Sequence, residues 1–453
     1  MHLVANLFMA LLIRVENLFY SILSLANLVR IGATALFGSE GTLVSRLTEK
    51  LLTAPGQRTV FDVLRVFLPT LVLKRQLIKS YDNTGTALVT RRQDVIDVLS
   101  NDVDFEVVYG PRMREITDGD NFFLGMQPSW DYTRDTSAMR LAMRTTDVAE
   151  LVRPRALEVA TTAVDACDGT VDLVQDVGLV VSSDLVDHYF GMPGPSKPDI
   201  IDWTTTLFWY LFVDLGADAD LGERAKAIMP RFREYLDDRI ASRKQNPVEV
   251  DDVLNRCLAL QKAGTPGMSD RGIRNNLIGL MIGAVPTLSK ASALVLEELL
   301  HRPESLRLAQ EAAASSDDNL LEKICLEALR FNPHQPFIYR RAIRPVVLSR
   351  GTLRQRTIPE GTMVFAASLS AAFDRLAINS PGKFDTGRSD DIYMSWGYGM
   401  HTCFGAAINR SVIPCILKPL LRQKNLRYGD GSEGIDTAGT PFPAQMSLKF
   451  DAS

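Results

Sequence analysis

The chain has 453 residues, 46% of them hydrophobic, enough for one large domain with a substantial core or for two ordinary ones. A formal net charge of -4 and a pI near 5.9 exclude the basic face of a nucleic-acid binder. The five cysteines, Cys167, Cys257, Cys325, Cys403 and Cys415, are scattered without a C-x-x-C pair, which excludes a zinc or disulfide framework and fits a reducing, cytoplasmic setting.

The first thirty residues, "MHLVANLFMALLIRVENLFYSILSLANLVR", are strongly apolar, but Arg14, Glu16 and Arg30 interrupt them before a membrane-spanning length is reached. They lack the basic start and small-residue cleavage site of a secretory signal. Leu3, Leu7, Leu11, Val15, Leu18 and Ile22 recur at helical spacing. They predict a helix either docked on the body, the favoured reading, or lying peripherally in a membrane interface. Residues 1–50 are read as an apolar helical extension and residues 51–453 as one domain, since no repeat, low-complexity tract or long linker marks a further boundary.

Most of the remaining chain is helical in pattern: "RRQDVIDVLSN", "RALEVATTAVDAC", "RAKAIMPRFREYLDDRIASRK" and "DDNLLEKICLEALRFNP" carry apolar residues every three or four positions. Only short stretches such as "PVVLSRGTLRQRTIPEGTMVFA" alternate as strands do. The fold class is therefore mainly α with small β-sheets. One helix, running from about Asp270 to His301, is apolar on nearly all faces and belongs in the middle of a large protein. Gly279, Gly283 and Pro286 lie inside it, and a kink is expected because Pro286 has no N–H for the carbonyl of Ile282.

Near the end stands "SWGYGMHTCFG", Ser395 to Gly405. Gly397 and Gly399 permit backbone conformations closed to other residues and let the main chain approach a flat ligand. After Cys403 the spacing of Ile408, Val412, Ile413, Ile416 and Leu420 turns helical, which puts Cys403 at a helix N-terminus. There the helix dipole is expected to lower the thiol pKa and favour thiolate, the form that binds metal.

This segment resembles the cytochrome P450 family, whose haem signature F-x-x-G-x-[HR]-x-C-x-G is matched by Trp396, Gly399, His401, Cys403 and Gly405, with tryptophan replacing phenylalanine. The resemblance implies the cytochrome P450 fold, with haem b between the long central helix and the cysteine-loop helix. It implies that Cys403 is the axial thiolate on iron and that His401 bonds a haem propionate. Glu327 and Arg330 in "EALR", with Arg388 in "FDTGR", look like the family's buried triad, and "TIPEGTMV" is similar to its turn and strand between these motifs. Trp130 and Arg134 resemble the family's W-x-x-x-R over the haem edge, with Arg140 an alternative to Arg134. Arg340 resembles its arginine after the E-x-x-R helix.

The family's [AG]-G-x-[DE]-T falls on Gly283, Ala284, Val285, Pro286 and Thr287, so the alcohol is present and proline replaces the acid of the proton relay. The resemblance implies a monooxygenase that takes electrons from a separate ferredoxin and its reductase and inserts one atom of O2 into a hydrophobic or lipid substrate. The missing acid keeps open a peroxygenase, or a fatty-acid hydroperoxide isomerase or dehydratase, for which a peroxide is the oxidant. A haem-thiolate sensor without turnover is the third reading. No G-x-G-x-x-G follows a strand pattern, so reductant is expected from outside or not at all. Arg410, Lys418, Arg422, Lys424 and Arg427 form either a docking face for an acidic ferredoxin or a solvated helix face. Substrate contacts are expected from Asp104 to Gln127, Gly283 to Thr287, and Pro336 to Ile338.

Overall fold

Helical apolar periodicity dominates the backbone of this computed structural model, which describes residues 2–37 and 42–451, with side chains from residue 12 onward. In chain order the helices and strands begin with α1 (His2–Leu36), α2 (Leu43–Leu52), α3 (Ala54–Phe67), β1 (Thr70–Leu73), β2 (Gly85–Val89), α4 (Arg92–Ser100) and β3 (Phe105–Glu106). They continue through α5 (Gly110–Thr117), α6 (Trp130–Ala142), α7 (Arg153–Asp165), β4 (Thr170–Asp172), α8 (Leu179–Asp184), α9 (Lys197–Phe208), α10 (Ala219–Gln245) and α11 (Val253–Lys262). The long α12 (Asp270–Leu300) is followed by α13 (Pro303–Ser315), α14 (Asp318–Phe331), β5 (Ile338–Ala342), β6 (Val346–Leu348), β7 (Arg356–Ile358) and β8 (Thr362–Ala366). The last are α15 (Ser368–Ala371), α16 (Ala406–Leu421), β9 (Arg427–Tyr428) and β10 (Ser447–Lys449).

These elements form two compact units, each assembled from separated stretches: Met1–Leu77, Asp82–Glu106 and Leu329–Thr402 in the first, and Ile78–Tyr81, Val107–Ala328 and Cys403–Ser453 in the second. The first unit is built on a five-stranded sheet in the order β1-β2-β8-β5-β3. Its centre is the parallel pairing of β2 with β8, Gly85 opposite Thr362 and Val89 opposite Ala366. All five residues of β8 are buried, as a strand covered on both faces requires. Gly361, at φ +76, makes the turn into β8. The hairpin read from "PVVLSRGTLRQRTIPEG" is β6 against β7, with Val346 opposite Ile358.

The N-terminal helix also belongs to the first unit, and residue 50 falls inside α2. One face of α1 packs on α3, where Ser21 Oγ donates to the Asp62 carbonyl at 3.0 Å and Arg375 lies over the Tyr20 ring at 3.8 Å. Its other face leaves Val15, Phe19, Ile22 and Val29 exposed. The side chains of Leu3, Leu7 and Leu11 lie outside the described residues.

In the second unit α12 runs through the core, packed by α8, α9, α10 and α16. The helix continues through Pro286, since α12 is unbroken from Asp270 to Leu300. Val285, Pro286, Leu288 and Ser289 are all buried, so packing on several sides outweighs the one lost backbone hydrogen bond. A three-stranded sheet, β4-β10-β9, completes this unit.

Candidate active site

The cysteine loop begins in the first unit and crosses into the second between Thr402 and Cys403. Gly397 and Gly399 have φ of +84 and +75, and a Cβ on Gly399 would come within 2.5 Å of the Leu99 carbonyl. Only glycine fits there. A single turn, Gly399–His401, then leads to Cys403, and Gly405 caps α16. Gly405 has no positive φ, and its role is spatial: a Cβ would sit 3.9 Å from the Cys403 sulfur.

The backbone N–H of Gly405 points at that sulfur, and Asn409 Nδ2 stands 4.0 Å from it. Both are donors suited to a thiolate. Even so, burial pushes the Cys403 thiol up, against the lowering expected from the helix terminus, because desolvation of the sulfur outweighs one backbone donor. A cation bound at the sulfur would supply the missing stabilisation of the thiolate.

The two arginine alternatives sit differently around this loop. Arg140 lies over the Phe404 ring at 4.8 Å, and Phe404 packs against Phe123 with centroids 4.9 Å apart. Arg134 instead pairs with Asp131 and Asp135, each at 2.7 Å, and Trp130 is 72% exposed at the start of α6. Arg140 is thus the member of this trio that contacts the cysteine loop.

In the first unit Arg340, on β5, and His401 are both buried. Burial and the Arg340 charge push the His401 imidazole down to about 3. Two basic groups buried this close match the needs of a carboxylate. Trp396 is half-buried. Arg330 donates to the carbonyls of Ala372 at 3.1 Å and Lys383 at 3.2 Å, and Arg388 donates to those of Asn379, Ser380 and Lys383. The two arginines therefore meet at the Lys383 carbonyl, and fully buried Glu327 precedes Arg330 by one turn of α14. Arg388 itself is only half-buried.

In the second unit one stripe of α12 stays uncovered. Gly283 is exposed while Ala284 and Thr287 are half-buried, and a Cβ on Gly283 would meet nothing within 4 Å. Gly279 plays a different part, since its missing Cβ makes room for the Phe122 ring, which any side chain there would strike. Thr287 Oγ1 donates to the Gly283 carbonyl.

The basic face read after the cysteine is mostly committed elsewhere. Arg410 pairs with Glu322 at 2.7 Å, buried Lys418 with Asp318 at 2.5 Å, and Arg422 donates to the Ala313 carbonyl at 2.9 Å. These three tie α16 to α13 and α14; Lys418 is buried, Arg410 half-buried and Arg422 exposed. Lys424 and Arg427 are exposed. Sequence reading also missed Asn409 and the Arg140–Phe404 contact, since neither has a spacing of its own to announce it.

The family model for cytochrome P450 matches residues 82–441. The chain is similar to the cytochrome P450 monooxygenase PikC of Streptomyces venezuelae, 26% identical over 300 residues that cover 65% of this chain and 67% of that protein. It is similar to a bifunctional dioxygenase–epoxy alcohol synthase of Fusarium oxysporum, 25% identical over 330 residues, covering 62% of this chain and 25% of that protein. Among solved structures, P450BioI in complex with acyl carrier protein ligated to hexadec-9Z-enoic acid superposes with a TM-score of 0.74 at 18% identity, covering 88% of this chain and 99% of that one. The residues fit haem b, which is the cofactor: the second unit has a sulfur faced by two N–H donors and a bare glycine on the central helix, and the first has buried Arg340 and His401 as donors for carboxylates. With its fold, its relatives and the chemistry of its cysteine loop in agreement, the chain belongs to the cytochrome P450 family of haem-thiolate oxygenases.

Proposed function

We propose that this oxygenase inserts one atom of O2 into a hydrophobic substrate, using electrons from a separate ferredoxin. The observation that carries the reading is Cys403, a half-buried thiol at the head of α16 faced by the Gly405 N–H and Asn409. When bound, the haem supplies oxidant activation and oxygen-atom transfer. Cys403 would hold the iron, and His401 and Arg340 of the first unit and Arg140 of the second would be the donors for its carboxylates. Thr287, whose hydrogen is given to the Gly283 carbonyl, presents oxygen lone pairs to water on the open stripe of α12. Pro286 can neither donate nor ionise, so protons have to reach that stripe through water rather than an adjacent acid.

The same proline favours a second reading, in which a peroxide or organic hydroperoxide is the oxidant and no relay is needed. Similarity to a protein named as an epoxy alcohol synthase supports it. Turnover of a lipid and aromatic panel with ferredoxin and reductant, set against the same panel with hydrogen peroxide or fatty-acid hydroperoxide, separates the two. Product that depends on reductant sinks the peroxide reading.

The exposed apolar face of α1, with Val15, Phe19, Ile22 and Val29, supports a cytoplasmic protein that touches a membrane peripherally. Cosedimentation with phosphatidylglycerol vesicles tests it. The full chain should bind and the Val15→Glu/Ile22→Glu variant should not.

A further inference from the structure

We propose that the Lys290 ammonium anchors the anionic head of the substrate, which makes the substrate class an organic carboxylate on an apolar body. This deepens the oxygenase reading above and rests on it. Lys290 is the sole charged residue of α12 between Arg274 and Glu297. At about 100° per residue, Gly283, Thr287 and Lys290 fall within about 60° of arc on the helix. The burial pattern agrees: Gly283, Thr287, Lys290 and Leu294 are uncovered or half-covered, while Val285, Pro286, Leu288, Ser289, Ala291, Ser292 and Ala293 are buried. The lysine therefore shares the stripe on which Gly283 leaves open space.

Among the described residues no carboxylate pairs with it. Its Nζ lies over the face of Phe442, 5.5 Å from the centroid. Phe442 stands edge-on to Phe208 at 5.7 Å, and Phe208 packs on Phe212 at 4.7 Å, so the ammonium emerges beside an aromatic wall. Burial alone pulls its pKa down to about 8, with no acidic group acting on it. An ammonium held in such surroundings without a counter-ion is costly, and a cation–π contact offsets only part of that. A carboxylate arriving with the substrate supplies the missing charge, and the aromatic wall and bare Gly283 stripe accept its apolar body. The rise of about 1.5 Å per residue puts Lys290 about 10 Å along the axis from Gly283. Head and reacting carbons are thereby held at separate places.

The test is a binding titration of the haem-loaded full chain with straight-chain and arylalkanoic acids and their methyl esters, read by the haem absorbance shift and by calorimetry. Wild type should bind acids at least about tenfold more tightly than the matched esters. Lys290→Met should lose that preference by weakening the acids while leaving the esters unchanged, and Lys290→Arg should keep it. Equal affinity for acid and ester throughout the panel, or a Lys290→Met variant that still prefers acids, overturns the proposal. Loss of haem from Lys290→Met with the acid preference intact assigns the lysine to the cofactor's carboxylates and also overturns it. Failure of the oxygenase reading itself is visible separately, as a wild-type protein that binds no haem through Cys403.

Discussion

Replacing Gly283 by alanine tests the open stripe of α12 without touching any proposed ligand. Glycine inside a helix costs about 1 kcal/mol relative to alanine, through backbone entropy. At most core positions a new methyl group would forfeit that gain by collision. At Gly283 the added Cβ meets no atom within 4 Å, so nothing opposes it. Gly283→Ala should therefore stabilise the haem-free protein by about 0.5–1 kcal/mol, read as an upward shift of the chemical-denaturation midpoint. Gly283→Leu should keep part of the gain but fill the space, weakening the spectral response to hydrophobic ligands by about tenfold or more. A Gly283→Ala protein that is less stable than wild type would refute the reasoning, since it would mean the stripe is closed. Gly279→Ala is the contrasting control: its Cβ would strike the Phe122 ring, and destabilisation by about 1–3 kcal/mol is expected.

Gly399→Ala combines a positive φ with a Cβ 2.5 Å from a backbone oxygen that cannot rotate away, so a loss of about 3 kcal/mol and poor haem retention on gel filtration are expected. Arg140→Ala should speed haem loss, whereas Arg134→Ala, which breaks an exposed pair with Asp131 and leaves the buried Asp135 carboxylate without that partner, should cost about 1–3 kcal/mol of stability and leave haem retention alone. Equal haem loss from both would remove the distinction drawn between them. Pro286→Asp should raise reductant-driven turnover by restoring an acid beside Thr287, and an unchanged rate would show that proton supply was not limiting.

The fold class and the cysteine loop were legible because both are written locally. Helical periodicity runs through "RAKAIMPRFREYLDDRIASRK", and the glycines at 397 and 399 have positive φ as their loop demands. The misreadings came from effects that spacing does not carry. The Cys403 thiol moved up because burial is a tertiary quantity, invisible beside the local helix-terminus argument. That α12 stays helical through Pro286 was not legible either, since the lost backbone bond is a local cost while the packing around it comes from other helices. The ion pairs of Arg410 and Lys418 were not legible because their partners, Glu322 and Asp318, lie some ninety residues upstream. Neither unit is contiguous in sequence, so no linker could announce the division at Leu77, Glu106, Ala328 or Thr402.

Central to the chemistry is Cys403 as the thiolate ligand of haem iron, and the reduced carbon monoxide adduct measures this directly. Purified protein loaded with haem should give the long-wavelength Soret band peculiar to a thiolate ligand, and Cys403→Ser should lose that band while Cys167→Ser keeps it. A wild-type adduct with the shorter-wavelength band of a neutral ligand, or a Cys403→Ser variant whose spectrum matches wild type, would contradict it.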